Sequence, residues 1–308
     1  MVIRHSSDYG QRMVEQVAQV RRFNRTVTQR IGALDDGYLS RGRPLGQARL
    51  LWEIGADGSE VRALRARLAL DSGYLSRLLQ ALQSDGLVLV ESDPADARVR
   101  RARLTAAGLA ERAELDRLSD ELAGTILGAL DGGQREQLVA AMATVERLLV
   151  ASMVRIEVTD PRQPDARQCI RAYTAELARR FDTGFDPGRS ISAADEELTP
   201  PAGLLLVATL HGDPVGCAGL KLHPGCPAEV KRMWVAPAVR GLGLGRRLLG
   251  ELERRAGGFG VRVLRLETNR ALGEAVALYR SAGYREVAPF NAEPYAHHWF
   301  EKAIEKAI

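Results

Sequence analysis

The stretch that most constrains the fold covers residues 229–256, where a glycine-rich loop separates a strand pattern from a helix pattern. β-Favouring and apolar residues fill positions 230–235, and Pro237 ends that strand. Leucines at helical spacing follow, from Leu244 to Leu252. The loop between them reads Arg240-Gly241-Leu242-Gly243-Leu244-Gly245, and its alternate glycines let the backbone approach a ligand closely. Because a helix begins directly after the loop, the stretch is suited to binding a phosphate group.

Two common phosphate-binding patterns do not match this loop. The Rossmann pattern needs a third glycine where Arg246 stands, and no Gly-Lys-Ser/Thr sequence closes a P-loop. The remaining pattern, R-G-x-G-x-G after a strand, resembles the acetyl-CoA pyrophosphate loop of GNAT-type N-acetyltransferases. The alternative interpretation is an arginine- and glycine-rich surface turn before an ordinary helix.

Residues downstream of the loop favour the resemblance. Positions 263–268 alternate like a strand. Positions 273–284 look like the next helix of the family, which ends in L-Y-x-x-x-G-[FY], here Leu278-Tyr279 followed by Gly283-Tyr284. The resemblance implies an α/β (α+β) GNAT acyltransferase fold with acetyl-CoA as co-substrate.

The resemblance also assigns a co-substrate site. In the family, the strand before the loop splays from its neighbour and pairs with the pantetheine of acetyl-CoA. The loop then holds the pyrophosphate, and an arginine in the first helical turn adds positive charge. The residues expected to bind acetyl-CoA are Met233, Trp234, Val235, Arg240, Gly241, Leu242, Gly243, Leu244, Gly245, Arg246 and Tyr279.

Acetyl transfer to an amine needs a bound acetyl donor, a deprotonated amine and a proton for the leaving thiolate. The resemblance places Tyr279 where the family's general acid lies; the alternative is a tyrosine that packs in the core. Glu229 stands six residues before Val235, at the position of the family's base-type glutamate. Its alternative role is a strand-edge carboxylate paired with Lys231 or Arg232.

The acceptor is predicted only as a small-molecule amine or amino acid. Asn291, Tyr295 and His298 lie near the expected acceptor cleft. Many family members carry Asn seven residues before the tyrosine; here that position is Leu272, so no contact is assigned to Asn269. No metal is predicted, because the spacing of His223, Cys226, His297 and His298 matches no zinc pattern.

In the N-terminal half, residues 72–84 predict a helix capped by Asp71 or Ser72. Leucines 75, 78, 79 and 82 form a buried stripe. The opposite face is polar and suits base edges in a major groove, although a solvated helix face is the alternative. Its candidate DNA-binding residues are Ser72, Tyr74, Ser76, Arg77 and Gln80.

A predicted hairpin follows this helix. Strands over 87–90 and 97–105 flank a turn opened by Asp93-Pro94, and the returning strand is rich in arginine. Asp96-Ala97-Arg98 and Leu104-Thr105-Ala106-Ala107-Gly108 resemble the D-x-R and L-T-x-x-G motifs of the MarR family of repressors. The resemblance implies a mainly α winged helix–turn–helix on duplex DNA with a pseudo-palindromic operator. The alternative is a helical domain with an incidental hairpin. The candidate DNA-binding arginines of the hairpin are Arg98, Arg100 and Arg101.

A chain of 308 residues suits two domains, which we place at 1–150 and 155–308 with a short hinge between them. The MarR resemblance implies a homodimer through the terminal helices of the first domain. No 18-residue apolar run or signal peptide is present, so a cytoplasmic protein without membrane contact is predicted. A net charge of +4 does not by itself indicate nucleic-acid binding. We expect a bifunctional transcriptional regulator and N-acetyltransferase; the alternative is a non-catalytic regulator whose second domain senses acetyl-CoA or another small ligand.

Overall fold

The computed structural model describes residues 4–35, 37–93, 96–225 and 227–304, with only the helical backbone of residues 4–9. The chain divides into two compact units, Met1–Val139 and Ala140–Ile308. No helix in the described ranges is both long and apolar enough to cross a membrane.

The first unit combines helices with a small antiparallel sheet. The sheet has the strand order β1-β3-β2. The elements are α1 (Arg4–Arg30), α2 (Leu45–Ile54), β1 (Ser59–Glu60), α3 (Val61–Leu68), α4 (Ser72–Ser84), β2 (Val88–Ser92), β3 (Arg100–Leu104) and α5 (Ala106–Gly128).

Helix α4 forms as its sequence pattern predicts. The side chain of Asp71 accepts a hydrogen bond from the backbone N–H of Tyr74 at 2.8 Å and caps the helix. The four leucines of the predicted stripe are buried and join α2, α3 and the sheet in one core: Leu75, Leu78, Leu79 and Leu82.

The predicted hairpin is confirmed as the β2–β3 ladder, with Val88 opposite Leu104. Residues 94 and 95 of its turn lie outside the described residues. Thr105 caps α5, accepting from the Gly108 N–H at 3.0 Å while its hydroxyl donates to the Gly86 carbonyl at 2.7 Å. A Cβ added at Gly108 would lie 2.0 Å from the Leu87 carbonyl oxygen, so the helix packs closely on the hairpin only because this residue is glycine.

Helix α1 carries a stripe of valines that is exposed in the single chain. Val14, Val17 and Val20 are 68%, 50% and 57% exposed. A stripe of this kind on a regular helix usually lies against another element.

The second unit is an α/β structure built on a seven-stranded sheet of order β4-β5-β6-β7-β8-β10-β9. Neighbouring strands are antiparallel except β7 and β8, which are parallel. Helix α6 (Gly132–Met153) includes the division between the units, after Val139. The other elements of the second unit are β4 (Arg155–Val158), α7 (Pro164–Arg180), β5 (Gly203–Leu210), β6 (Asp213–Lys221), β7 (Ala228–Val235), α8 (Leu244–Gly258), β8 (Val263–Thr268), α9 (Gly273–Ser281), β9 (Arg285–Val287) and β10 (His298–Ala303).

Helix α8 packs on the sheet through the stripe predicted from its spacing, since Leu244, Leu248, Leu249 and Leu252 are all buried. Arg247 of the same helix donates hydrogen bonds to the carbonyls of Ala151 and Val154, the latter at 2.9 Å. The C-terminal end of α6 therefore belongs to the second unit. The predicted domain limits, 150 and 155, lie C-terminal to the observed division and stay a prediction.

Candidate active site

The parallel strands β7 and β8 pair only at their beginnings. Ala228 lies opposite Leu264 and Glu229 opposite Arg265, and the ladder ends there. On its other edge, β8 pairs with β10 along its whole length. A gap therefore opens between β7 and β8, as the splayed-strand prediction requires.

The glycine loop follows β7 and has the backbone that its glycines permit. Gly241 and Gly243 adopt φ values of 80° and 74°, in the left-handed region that favours glycine. A Cβ added at either residue would meet nothing within 4 Å. At Gly245, by contrast, a Cβ would lie 3.1 Å from Leu278 Cδ2, so this glycine permits close packing of α8 on α9. The loop leaves open space at the N-terminus of α8, where backbone N–H groups favour an anion.

A cavity of about 410 Å³ runs from the gap between the strands to this helix start. It is lined by all the predicted acetyl-CoA residues except Leu242, which packs against the core. Sequence reasoning missed the side of this cavity that α7 forms through Tyr173, Glu176 and Arg180. Open space, exposed strand backbone and a helix N-terminus together fit a thioester-bearing nucleotide such as acetyl-CoA.

Arg240 and Arg246, the two arginines predicted to lie beside the pyrophosphate, donate hydrogen bonds to other groups of the protein. Arg240 donates from Nε to the Val235 carbonyl at 3.0 Å. Arg246 donates to the hydroxyl of Ser281 at 2.6 Å and to its carbonyl at 3.3 Å. Both arginines still line the cavity. The loop's positive charge is thus held in place before any ligand binds.

A second cavity of about 290 Å³ adjoins the first. Tyr173, Met233 and Tyr279 line both cavities, so the two spaces meet at these side chains. We call the larger space the nucleotide cavity and the smaller one the acceptor cavity. Their junction is where an acetyl donor and an acceptor would come together.

Tyr279 lies at this junction on α9, with its hydroxyl 3.7 Å from Met233 Sδ. Its ring packs 6.0 Å from the ring centroids of Tyr284 and Phe300. Burial raises the pKa of Tyr279, and the negative charge of Glu267 raises it further. The hydroxyl therefore stays protonated at neutral pH and has a proton to donate.

Glu229 does not lie where the predicted base would have to lie, because it lines neither cavity. Its carboxylate accepts from Arg265 at 3.1 and 2.7 Å, and Lys231 Nζ lies 3.1 Å away. Burial raises the pKa of Glu229, but Lys231 and Arg265 outweigh burial and lower it below its ordinary value. The geometry favours the alternative interpretation, a paired strand-edge carboxylate.

Glu267, which sequence reasoning missed, is the carboxylate that lines the acceptor cavity from the end of β8. Lys231 Nζ binds its Oε1, while its Oε2 is buried without a hydrogen-bond partner. Along β8, Leu264, Leu266 and Thr268 face the core, so Arg265 and Glu267 lie on the other face. That alternation was the available signal: it puts one acid on the open face at the strand end nearest Tyr279.

The three residues predicted to bind the acceptor do not line one cavity together in the structure. Tyr295 lines the acceptor cavity, and its hydroxyl accepts from the Asp186 N–H at 3.0 Å. Asn291 accepts from Trp299 Nε1 at 2.8 Å, and His298 Nδ1 lies 2.6 Å from Glu286 Oε1. Neither Asn291 nor His298 is among the lining residues. Asn269 does line the cavity, and its side chain donates to the Tyr295 carbonyl at 2.7 Å.

In the first unit, the candidate DNA-binding residues of α4 are all exposed: Ser72, Tyr74, Ser76, Arg77 and Gln80. On the hairpin, Arg98 and Arg100 are exposed. Arg101 is half-buried, with Nη1 3.4 Å from Asp93 Oδ2. Within the described ranges, no three His, Cys, Asp or Glu side chains group in a way suited to a metal ion. Cys226 lies outside those ranges.

Comparison with known proteins agrees with the geometry of the second unit. Residues 170–284 match the acetyltransferase (GNAT) family. The IAA acetyltransferase of Azospirillum brasilense is 37% identical over 153 residues, which cover 49% of this chain and 98% of that protein. The chain belongs to the GNAT family. The N-alpha-acetyltransferase RimI of Mycobacterium tuberculosis is 38% identical over 126 residues, covering 40% of this chain and 74% of the relative.

Among solved structures, a GNAT acetyltransferase from Staphylococcus aureus aligns with a TM-score of 0.43 and 16% identity. That alignment covers 49% of this chain and 99% of the other. The GNAT domain makes the protein an acetyl-CoA-dependent acyltransferase, as the sequence predicts.

Proposed function

We propose that the GNAT domain transfers the acetyl group of acetyl-CoA to a primary amine held in the acceptor cavity. The observation that carries this proposal is the junction of the two cavities, where Tyr279 lines both and Glu267 lines the acceptor side. Tyr279, which can donate a proton, and Glu267, which can accept one, therefore lie on either side of the place where acetyl-CoA and the amine would meet. Tyr279 is buried and the side chain of Glu267 is only 9% exposed, which limits the access of water to the reaction.

Glu267 is the proposed base. Its unpartnered Oε2 accepts a proton from the ammonium group of the acceptor, and Lys231 holds the other carboxylate oxygen in position. The free amine then forms a C–N bond with the acetyl carbon as the C–S bond breaks. Tyr279 donates its proton to the departing thiolate. The new amide nitrogen then loses its second proton, which restores the Tyr279 hydroxyl, and Glu267 releases the proton that it accepted to solvent.

The nucleotide cavity would hold acetyl-CoA in position for the transfer. The glycine loop and the N-terminus of α8 would hold the pyrophosphate, and the open edge of β7 at Met233 and Val235 would pair with the pantetheine. This arrangement orients the thioester toward Tyr279, so that positioning accounts for much of the rate.

The direct test measures thiol release from acetyl-CoA by the full chain across a panel of primary amines, with acetyl-CoA binding followed by calorimetry. Turnover that depends on an amine supports the transfer. Tight binding of acetyl-CoA without turnover on any amine would instead support the ligand-sensing alternative, in which the domain regulates without catalysing.

For the first unit we propose binding to duplex DNA as a homodimer, with α4 in the major groove and the β2–β3 hairpin at the flanking minor groove. The support is an exposed polar face on α4 beside a hairpin that carries exposed Arg98 and Arg100. The exposed valines of α1 support a second copy of the chain as their partner, since apolar surface of this kind marks an interaction site.

The corresponding test titrates the full chain against its own upstream DNA and against a random duplex library at two salt concentrations, with the oligomeric state measured by light scattering. A dimer whose affinity falls steeply with salt supports the proposal. A folded monomer, or a dimer without salt-sensitive DNA binding, would leave only the acetyltransferase.

A further inference from the structure

The acceptor cavity holds two buried polar atoms of opposite charge without a hydrogen-bond partner: Oε2 of Glu267 and Nη1 of Arg232. Buried polar atoms in folded proteins are nearly always hydrogen-bonded. Two unfilled positions, one for a donor and one for an acceptor, point to a ligand that carries both groups.

The other charged side chains of the cavity are already paired. Lys231 Nζ contacts Glu267, Glu229 at 3.1 Å and the Ile191 carbonyl at 3.3 Å. Glu293 accepts from Ser190 Oγ at 2.9 Å, and from the N–H groups of Ile191 and Tyr295 at 2.6 and 3.2 Å. The remaining binding capacity is therefore one negative and one positive group, which suits a zwitterion better than a polycation or a phosphate.

The backbone explains why Arg232 faces the cavity beside Lys231. Consecutive residues of a regular strand point to opposite faces. The register between β6 and β7 shifts between Cys217 and Gly219, and Arg232 adopts a φ of 51° at this bulge. As a result, Lys231 and Arg232 line the same cavity.

The guanidinium of Arg232 keeps one side free for a ligand. Its Nη2 donates to the Ala193 carbonyl. Its Nη1 lies 3.8 Å from Asp195 Oδ1, beyond hydrogen-bond distance, and the other oxygen of Asp195 is bound by Arg167. Arg232 is thus fixed in position while one of its nitrogens has no strong partner.

An aromatic wall completes the cavity. Phe185 lies with its ring centroid 5.8 Å from Phe181 and 5.0 Å from Tyr295, and all three residues line the cavity. Such a wall favours an apolar, flat side chain. A volume of about 290 Å³ suits a molecule of amino-acid size.

We propose that the acceptor is a free amino acid with an aromatic or large apolar side chain. Its amine lies at Glu267 Oε2, its carboxylate at Arg232 Nη1 and its side chain against the aromatic wall. This inference rests on the proposed acetyl transfer and names the substrate class for it. It adds to that proposal a specificity-determining role for Arg232.

The test compares kcat/KM for four acceptors at saturating acetyl-CoA: phenylalanine, phenethylamine without the carboxylate, phenylalaninamide with a neutral carbonyl, and alanine without the ring. We expect phenylalanine to be preferred at least about tenfold over phenethylamine and phenylalaninamide, because a hydrogen bond to a charged group discriminates by that much. Burial of the ring against the aromatic wall should favour phenylalanine over alanine by about tenfold as well. Arg232→Met should reduce the preference for phenylalanine over phenethylamine at least about tenfold. Phe185→Ala should reduce the preference for phenylalanine over alanine.

Arg254→Met serves as the matched control, since Arg254 is exposed on α8 and pairs only with Glu251 among the described residues. It should leave every ratio unchanged. Phenethylamine or phenylalaninamide reacting as well as phenylalanine would overturn the amino-acid assignment while leaving acetyl transfer intact. An unchanged ratio in a folded Arg232→Met variant would remove Arg232 as the carboxylate anchor. Absence of turnover with every amine would overturn both the transfer and this inference.

Discussion

Glu176 of α7 accepts two hydrogen bonds from Nη2 of Arg240, at 2.7 and 2.6 Å, across 64 residues of chain. The same carboxylate accepts from Trp234 Nε1 at 2.9 Å and from Arg180 at 3.1 Å. Arg240 in turn donates to the Val235 carbonyl. One buried acid therefore joins α7, the end of β7 and the glycine loop, so Arg240 positions the wall of the nucleotide cavity.

Removing that acid should destabilise the GNAT domain. Glu176→Gln keeps the shape of the side chain but removes the negative charge that Arg240 and Arg180 share, while Arg180 keeps Glu274 as a partner. We expect a cost of about 1–3 kcal/mol in the free energy of unfolding. Glu251→Gln, which weakens only the pairs with Arg254 and Arg255 within α8, should cost less than about 1 kcal/mol. Urea denaturation monitored by tryptophan fluorescence measures both, and equal effects would contradict the structural role of Glu176.

The same acid should make stability depend on pH in the acid range. Burial raises the pKa of Glu176, but hydrogen bonds from Arg240, Trp234 and Arg180 outweigh it and lower the pKa. A depressed carboxyl pKa stabilises the fold above the unfolded value of about 4.3, and this contribution is lost as pH falls through the folded value. Arg180 likewise lowers the pKa of Glu274, to about 2. Between pH 5 and pH 3 the wild type should lose more stability than Glu176→Gln; parallel curves would contradict this.

A side chain at Gly243 of the glycine loop should lower the affinity for acetyl-CoA. Gly243→Val places a β-branched residue at a φ of 74° and directs its side chain into open space of the cavity. We expect the affinity to fall at least about tenfold, or roughly 1.4 kcal/mol. Gly250→Ala, at a helical position with open space around it, is the matched control and should bind normally. Gly245→Val should act through packing against Leu278 and lower stability as well. Calorimetry on folded Gly243→Val showing normal binding would refute the placement of the pyrophosphate.

Tyr279→Phe tests the proposed acid. Removing a group that donates a proton in the transition state costs on the order of 100-fold in turnover. Acetyl-CoA affinity should stay nearly intact, because the ring and its contacts with Tyr284 and Phe300 remain. Steady-state rates and calorimetry separate the two effects. Turnover equal to that of the wild type would make Tyr279 a packing residue.

Glu267→Gln and Glu229→Gln form a matched pair for the proposed base, since Lys231 contacts both acids. Glu267→Gln should lower turnover on the order of 100-fold, because no carboxylate is left to accept the proton. Glu229→Gln should chiefly lower stability. If a folded Glu229→Gln variant alone lost turnover on that order, the base would be Glu229, as the GNAT resemblance first implied.

Substitutions in the first unit should have different effects on the affinity for DNA and on the preference among DNA sequences. Arg98→Ala should weaken DNA binding most at sites with AT-rich flanks, where the minor groove is narrow. Arg77→Ala or Gln80→Ala should flatten discrimination among operator sequences, because these side chains lie on the exposed face of α4. Fluorescence titration against a small operator series, with Arg62→Ala on α3 as a control of equal charge change, measures both effects. Equal losses from every substitution would indicate non-specific binding only.

Several features of this protein follow from local sequence alone. The spacing of the leucines in α4 and α8, the glycines before α8 and the alternation of β8 set elements whose form depends on nearby residues. The strand–loop–helix order around Gly243 and the position of Tyr279 predicted residues that line one cavity in the structure. These predictions succeeded because periodicity and glycine backbone freedom act within a few residues.

Only the tertiary structure decided which charges lie together. Lys231 and Glu267 are 36 residues apart in the chain, and their contact depends on the parallel pairing of β7 and β8. That pairing puts Glu229, the base that the GNAT resemblance implied, among cations and leaves Glu267 facing the acceptor cavity. A bulge then turns Arg232 to the same side. Strand register and bulges arise from packing across the whole sheet, so a linear pattern specifies the strands but not the partners that their side chains find.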